Sequence, residues 1–145
     1  MTPRAFAKLP AKQKVAIRAA ALRALELSAL IGEDQVRRNL SGAVLNYRGP
    51  GGLRDSLRTV ATSNGFKTTV GSERVVYARI HEFGGQIRPK RARYLRFKLP
   101  EGQWVSTKLV NMPARPYLRP AVAVAEKALQ ERLGPSIETA LRGAA

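Results

Sequence analysis

Residues 112–120 read MPARPYLRP, with three prolines, two arginines and a tyrosine in nine positions. No strand continues through Pro113, because proline has no N–H to give a ladder, while Pro116 and Pro120 hold φ at about −65°, the value of a first helical turn. The segment therefore predicts a stiff corner at which a strand ends and a helix leaves at a fixed angle. Arg115 and Arg119 fall beside the N-terminus of that helix, where the macrodipole disfavours cations. Two interpretations stand at this point. Either an acidic or phosphate partner outside the chain compensates them, making Arg115, Pro116, Tyr117 and Arg119 a partner-facing corner, or the corner is an internal brace whose arginines are solvated.

After the corner, AVAVAEKALQERL predicts an amphipathic helix with Leu118, Val122, Ala125 and Leu129 as its buried edge, broken or kinked at Gly134-Pro135 before a short tail helix. At the other end of the chain, Lys12–Leu40 lacks proline and is rich in alanine and leucine, which predicts a long first helix, loosened at Gly32. Ile17, Ala20, Ala24, Leu27 and Ile31 form one apolar stripe on it, and Val15, Leu22, Leu25 and Ala29 form a second on a different face. One sheet cannot cover both. Either the helix is sandwiched within its own domain, or Val15, Leu22 and Leu25 belong to a subunit interface.

The middle of the chain supplies the strands. SGAVLNYRGPGG (41–52) is a loop by composition, and no Gly-Lys-Ser/Thr ending makes it a phosphate cradle. Two β-prone runs flank Asn64-Gly65, a hairpin turn dipeptide, with Leu53 and Leu57 on one face and Arg54, Ser56 and Arg58 on the other. RVVYARIHEFGG spaces Val76, Ile80 and Phe83 as a short helix that stops at Gly84-Gly85. In the next segment Leu95, Phe97 and Leu99 alternate with charged or polar residues, and Pro100-Glu101-Gly102 turns the chain into a partner strand over Trp104–Val110. Phe97 is expected to point into the core. The order α, ββ, short α, ββ, α predicts an α+β fold: an antiparallel sheet of about four strands, with a long N-terminal helix, a short central helix and a C-terminal helix packed against it. At 145 residues the chain fits one domain spanning 1–145, with 1–11 and 135–145 extended or peripheral.

Charge and chemistry narrow the function. Twenty-six Lys+Arg against ten Asp+Glu leave a net charge of +16, which implies a polyanion, an anionic surface or acidic protein partners. There is no cysteine, hence no disulfide, thiolate ligand or thiol nucleophile, which fits synthesis in a cytoplasm. Arg18, Arg23 and Glu26 interrupt every apolar run near the start, so neither a signal peptide nor a membrane span is expected. His81 is the only histidine. Beside Glu82 it could suggest a general base or half a metal site, but the acids are scattered, and a packing or hydrogen-bonding role is the expectation. Ser56, Ser63 and Ser72 lack a nucleophile-elbow context. No catalytic site, metal site or cofactor is expected. Residues 88–98 hold Arg88, Lys90, Arg91, Arg93, Arg96 and Lys98 with Tyr94 and Phe97 interleaved and no acid among them. Such a surface fits phosphate backbones, in a free nucleic-acid-binding protein or in a ring around DNA.

GGLRDSLR (51–58), YARIHEFGGQI (77–87) and MPARPYLRPA (112–121) occur in this order along the chain. The last resembles the Pro-Ala-Arg-Pro-aromatic-Leu-Arg-Pro-Ala signature of tailed-bacteriophage neck and tail-completion proteins, a family that includes the virion morphogenesis proteins of Mu-like and P2-like phages. The other two are similar to that family's Gly-x-Leu-Arg-x-Ser-Leu and Tyr-Ala-x-x-His/Val-Glu/Gln-Phe-Gly-Gly/Thr segments. The basic insertion at 88–98 fits the Mu/P2-like branch. The resemblance implies a homo-oligomer, commonly a hexameric ring, joining tail to head at the head-tail junction of the virion, as a tail-terminator or tail-completion subunit without enzymatic activity. Its implied partners are neighbouring neck and tail-tube proteins, with non-specific contact to packaged DNA through Arg88, Lys90, Arg91 and Arg93, and no membrane.

Overall fold

A computed structural model of the chain describes residues 3–41, 52–71 and 77–144. Its elements are α1 (Pro3–Ala7), α2 (Ala11–Asn39), β1 (Arg58–Thr62), β2 (Gly65–Thr69), α3 (Ala78–Phe83), β3 (Gly85–Ile87), β4 (Leu95–Lys98), β5 (Trp104–Thr107), β6 (Val110–Met112) and α4 (Leu118–Gly143). The α+β class is the one expected from the sequence. The strands form three two-stranded antiparallel ladders, β1-β2, β3-β6 and β4-β5. The loop expected over 41–52 lies, apart from its two ends, outside the described residues, as do Ser72 and Val76.

The helix pair α2 and α4 is the main packing unit. α2 has the extent expected but passes unbroken through Gly32, and α4 runs further than expected, through Pro135 to Gly143. The face α2 buries shares Ile17 and Ala24 with the first expected stripe and then follows a ridge that neither stripe contained, Ser28, Gly32 and Val36, with Leu40 following at the same four-residue step. Small side chains on this ridge let the two backbones approach. A Cβ added at Gly32 would stand 2.9 Å from the Ala125 Cβ. On α4 the buried residues are Ala121 and Ala128, so the expected edge is rotated and Val122 is left 45% exposed. Of the first expected stripe, Ile17 and Ala24 are buried, while Leu27 is exposed. Ser28 satisfies its buried hydroxyl by donating to the Ala24 carbonyl at 2.7 Å.

Beneath the ends of these helices, Val36, Leu40, Leu53, Leu57, Tyr117 and Ala121 make the core. Leu53 and Leu57 share a face as expected, but Gly52–Ser56 is a helical turn rather than strand, with the Asp55 and Ser56 amides bonded to the Gly52 carbonyl. A spacing of four lies on one face under either period, so alternation alone did not decide it. The first hairpin turns at Ser63-Asn64 with Thr62 opposite Gly65, one residue earlier than expected.

The expected strand Trp104–Val110 divides. The Thr107 hydroxyl donates to the Leu109 carbonyl at 2.9 Å, forming a local turn, after which β6 pairs with β3 instead of β4. β3 is three residues long and was not legible as a strand. Phe97 does not enter the core; it is 37% exposed on an outlying hairpin.

Because Gly32 and Ala125 meet Cβ to backbone, Gly32→Ala is expected to destabilise the fold by about 1–3 kcal/mol despite alanine's better helix propensity. Adding Ala125→Gly should recover part of that loss. Chemical denaturation of the two single variants and the double variant measures this coupling. Additive effects would contradict the close approach.

Candidate functional site

α4 begins with a deficit that its own sequence does not repair. No side chain caps it locally and its first turn contains no acid. The N–H groups of Tyr117, Leu118 and Arg119 would be orphaned, while Pro120 has none to satisfy. Glu82, near the end of α3, supplies what is missing. Its Oε2 accepts from the amides of Tyr117 at 2.8 Å and Leu118 at 2.9 Å, and its Oε1 accepts from Arg119 at 3.0 Å. A carboxylate 35 residues away in sequence is therefore the cap of the last helix. Burial pushes its pKa up, but the three amides and the Arg119 guanidinium together hold it below its ordinary value of 4.5.

The rest of the joint fixes that carboxylate in place. The Arg115 amide donates to the His81 carbonyl at 2.8 Å, and the Tyr117 hydroxyl donates to the Ala78 carbonyl at 3.1 Å. Gly84 caps α3 with φ 68°, and a Cβ there would stand 2.7 Å from the Ala114 nitrogen and 2.9 Å from the Met112 carbonyl oxygen. Two independent constraints thus require glycine at this position. Asn39 extends the joint to α2, donating from Nδ2 to the Tyr117 carbonyl at 2.8 Å. His81 packs edge-on against Tyr77, with ring centroids 5.6 Å apart, and its Nδ1 is buried with no hydrogen-bond partner among the described residues. Burial, then the nearby Arg115 charge, pulls its pKa below 6.5. YARIHEFGG and MPARPYLRP are accordingly two halves of one clamp.

The clamp changes how the corner residues are read. The N-terminus of α4 already holds its anion, Glu82. Tyr117 faces inward: it is 3% exposed, and burial followed by the Glu82 charge raises its pKa to about 12. Its place in a partner-facing surface is corrected on that ground. Arg119 is exposed and lays its guanidinium 4.8 Å from the centroid of the Phe83 ring, Arg115 is half-buried and Pro116 is exposed. Sequence reasoning missed Glu82 as a cap. The available signal was a helix start with no Ser, Thr, Asp or Asn in position to cap it, which obliges a distant acceptor.

The basic residues lie elsewhere. Arg88, Lys90, Arg91 and Arg93 are all exposed in the segment joining β3 to β4, and none forms an ion pair among the described residues. The β4-β5 hairpin continues this surface. Phe97 lies opposite Val105 and Lys98 opposite Trp104, so Leu95, Phe97 and Val105 share one face while Arg96, Lys98, Trp104 and Ser106 share the other. On that second face Arg96 stands 5.8 Å from the Trp104 ring centroid, and Lys108 stands 5.7 Å from that of Tyr94. Trp104, 63% exposed, is a stacking candidate that the sequence reading passed over. Of the interface candidates, Val15 and Leu22 are exposed and Leu25 is half-buried, lining a groove between α2 and α4.

This small α+β chain thus builds a rigid joint from its motifs and carries basic and apolar side chains outward. The sequence pattern of the phage virion morphogenesis family matches residues 28–136, and the chain belongs to that family. The matched span contains both halves of the clamp. No curated protein and no solved structure matches the chain at a significant level. The chain is a phage virion assembly component, and among the described residues no helix is long and apolar enough to cross a membrane.

Glu82→Ala should strand three amides and cost about 3–5 kcal/mol of stability, with Glu82→Gln costing less because one neutral oxygen still accepts. The pH dependence has a definite sign. Glu82 contributes stability that is present above its unfolded value of 4.5 and is lost as pH falls through the lower folded value. His81 acts in the same direction from 6.5 downward, because the unfolded chain takes up that proton first. Thermal melts between neutral and acid pH should therefore show a falling melting temperature, with a shallower fall in Glu82→Gln. A parallel profile in the variant would contradict the assignment.

Proposed function

We propose that this chain is a ring subunit of the tail-completion or tail-terminator type, placed at the head-tail junction of a tailed phage or phage-derived particle and acting without enzymatic chemistry. The observation that carries the reading is exposed apolar surface on one helix: Val15, Leu22, Leu27 and Leu30 of α2 are 69%, 39%, 49% and 51% exposed. Exposed apolar patches mark protein contacts, and a subunit of a closed ring has two neighbours to cover them.

The basic loop supports the same placement. Arg88, Lys90, Arg91 and Arg93 face solvent together, as residues lining a DNA channel would, and phosphate contacts position DNA without reading its sequence. The long basic segment also favours the Mu/P2-like branch. Neighbouring neck and tail-tube proteins would take the two faces of the ring.

Sedimentation across a concentration series, with negative-stain imaging, tests the reading. The parent protein should form a discrete oligomer of sixfold outline, and Leu22→Glu should remain folded while losing it, since Leu22 is already 39% exposed. A dispersed monomer at every concentration would contradict the ring and favour a free nucleic-acid-binding protein. DNA binding should be weak, independent of sequence and salt-sensitive. Replacing Arg88, Lys90, Arg91 and Arg93 with serine should flatten the slope of log affinity against log salt by ~0.9 per lost contact. An unchanged slope would move these four residues away from DNA and onto a protein neighbour.

A further inference from the structure

The β4-β5 hairpin sorts its side chains in a way that core packing does not explain. Leu95 and Val105 on one face are half-buried, whereas Arg96, Lys98, Trp104 and Ser106 on the other are all exposed. Trp104 is the only tryptophan of the chain, and it stands out among cations. The ladder pairs Lys98 with Trp104 and Arg96 with Ser106. Beyond its end the same alternation reaches Tyr94 and Lys108, both exposed. There the Lys108 ammonium lies 5.7 Å from the Tyr94 ring centroid and the Arg93 guanidinium 5.8 Å from it. The exposed face therefore carries two rings, four strand positions or about 13 Å apart, with Arg96 between them.

Charge of one sign surrounds those rings. Residues 83–125 contain nine arginines and lysines and one acid, Glu101 at the hairpin turn. None of these cations forms an ion pair among the described residues. Phosphate oxygens are the complement of such a surface. A duplex would engage only the cations, because its paired bases keep their faces inside the stack. Exposed rings set among cations match bases that have left the stack, with stacking on the rings and phosphates on the charges. With the Arg96 contact made, the Trp104 indole is still 63% exposed, which leaves it open to a base.

We infer that this face of the β4-β5 hairpin binds unpaired, single-stranded DNA, with Trp104 and Tyr94 stacking on bases and Arg96, Lys98 and Lys108 holding the phosphates beside them. The inference rests on the DNA contact of the proposed function and deepens it. The adjoining Arg88, Lys90, Arg91 and Arg93 meet any DNA backbone, and the hairpin selects strands whose bases are open. Selection is by pairing state and not by sequence, since every base has a π-face.

Because Trp104 is the only tryptophan, its fluorescence reports the site directly. The full-length protein is titrated with oligothymidylate, with a blunt duplex of the same length, with oligouridylate, and with heparin, a polyanion without bases. Oligothymidylate should quench Trp104 and bind about tenfold tighter than the duplex, and heparin should bind without comparable quenching. Trp104→Ala, followed with a labelled oligothymidylate, should weaken binding about tenfold and narrow the difference from the duplex, with a melting temperature close to the parent's. Trp104→Phe should retain most of the affinity, and Tyr94→Ala should reproduce the loss. Replacing Arg96, Lys98 and Lys108 with serine should flatten the salt slope for the single strand by ~0.7 per lost contact. If Trp104→Ala binds oligothymidylate as the parent does, or heparin quenches as strongly, the face is an unselective cationic surface. The stacking inference is then wrong, while the DNA contact of the ring reading stands on duplex binding. Tighter binding of oligouridylate than of oligothymidylate would assign the face to RNA and overturn the inference. If neither single-stranded nor duplex DNA binds, the inference and the DNA contact fail together.

Discussion

The carboxylate of Glu82 on the first turn of α4 is the contact on which the architecture depends. Three amides, one buried and two part-buried, need an acceptor, and a single ionised side chain supplies it through both oxygens. Hydrogen bonds to a charged acceptor are the strong ones, and removing the acceptor leaves several orphaned donors at once. The contact also joins distant parts of the chain. α3 is six residues long and could not persist by its own propensity. It is held because Glu82, the His81 carbonyl and the Ala78 carbonyl are all engaged by the corner at 115–119. The prolines complete the design from the other side: Pro120 removes the one amide of the first turn that Glu82 does not reach, and Pro116 restricts the approach to it.

This joint fixes the direction of α4, and α4 sets the rest. Its alanines meet the small-residue ridge of α2 closely enough that Gly32 has no room for a side chain. Packing of this kind buries little large apolar surface, so the larger residues, Leu22, Leu27, Leu30 and Val122, are left outside. In the ring proposed above, these apolar side chains would be available for contacts between subunits.

Much of this was legible in the sequence. The long helix was placed over Lys12–Leu40 and found over Ala11–Asn39, because an alanine-rich, proline-free run leaves little alternative. The corner, the short helix before Gly84 and the α+β class were equally readable. The buried face of α2 was not, since hydrophobicity patterns weight leucine and isoleucine, whereas this interface selects Ala24, Ser28 and Gly32 for their size. Gly134-Pro135 was expected to break α4, and the helix runs through it. Glu82 could not be assigned from its neighbours, because what it caps lies 35 positions further along the chain. The two arginines of the corner left open an acidic or phosphate partner outside the chain, whereas the anion at that helix terminus is Glu82, within it.

Titration of the Glu82 side-chain carboxyl by carbon-13 NMR, read together with the amide shifts of Tyr117, Leu118 and Arg119, tests the central claim most directly. A carboxylate holding all three amides should titrate below 4.5, and the three amide resonances should move with it along one curve. A Glu82 that titrates at or above 4.5, with the three amides unresponsive, would contradict the clamp.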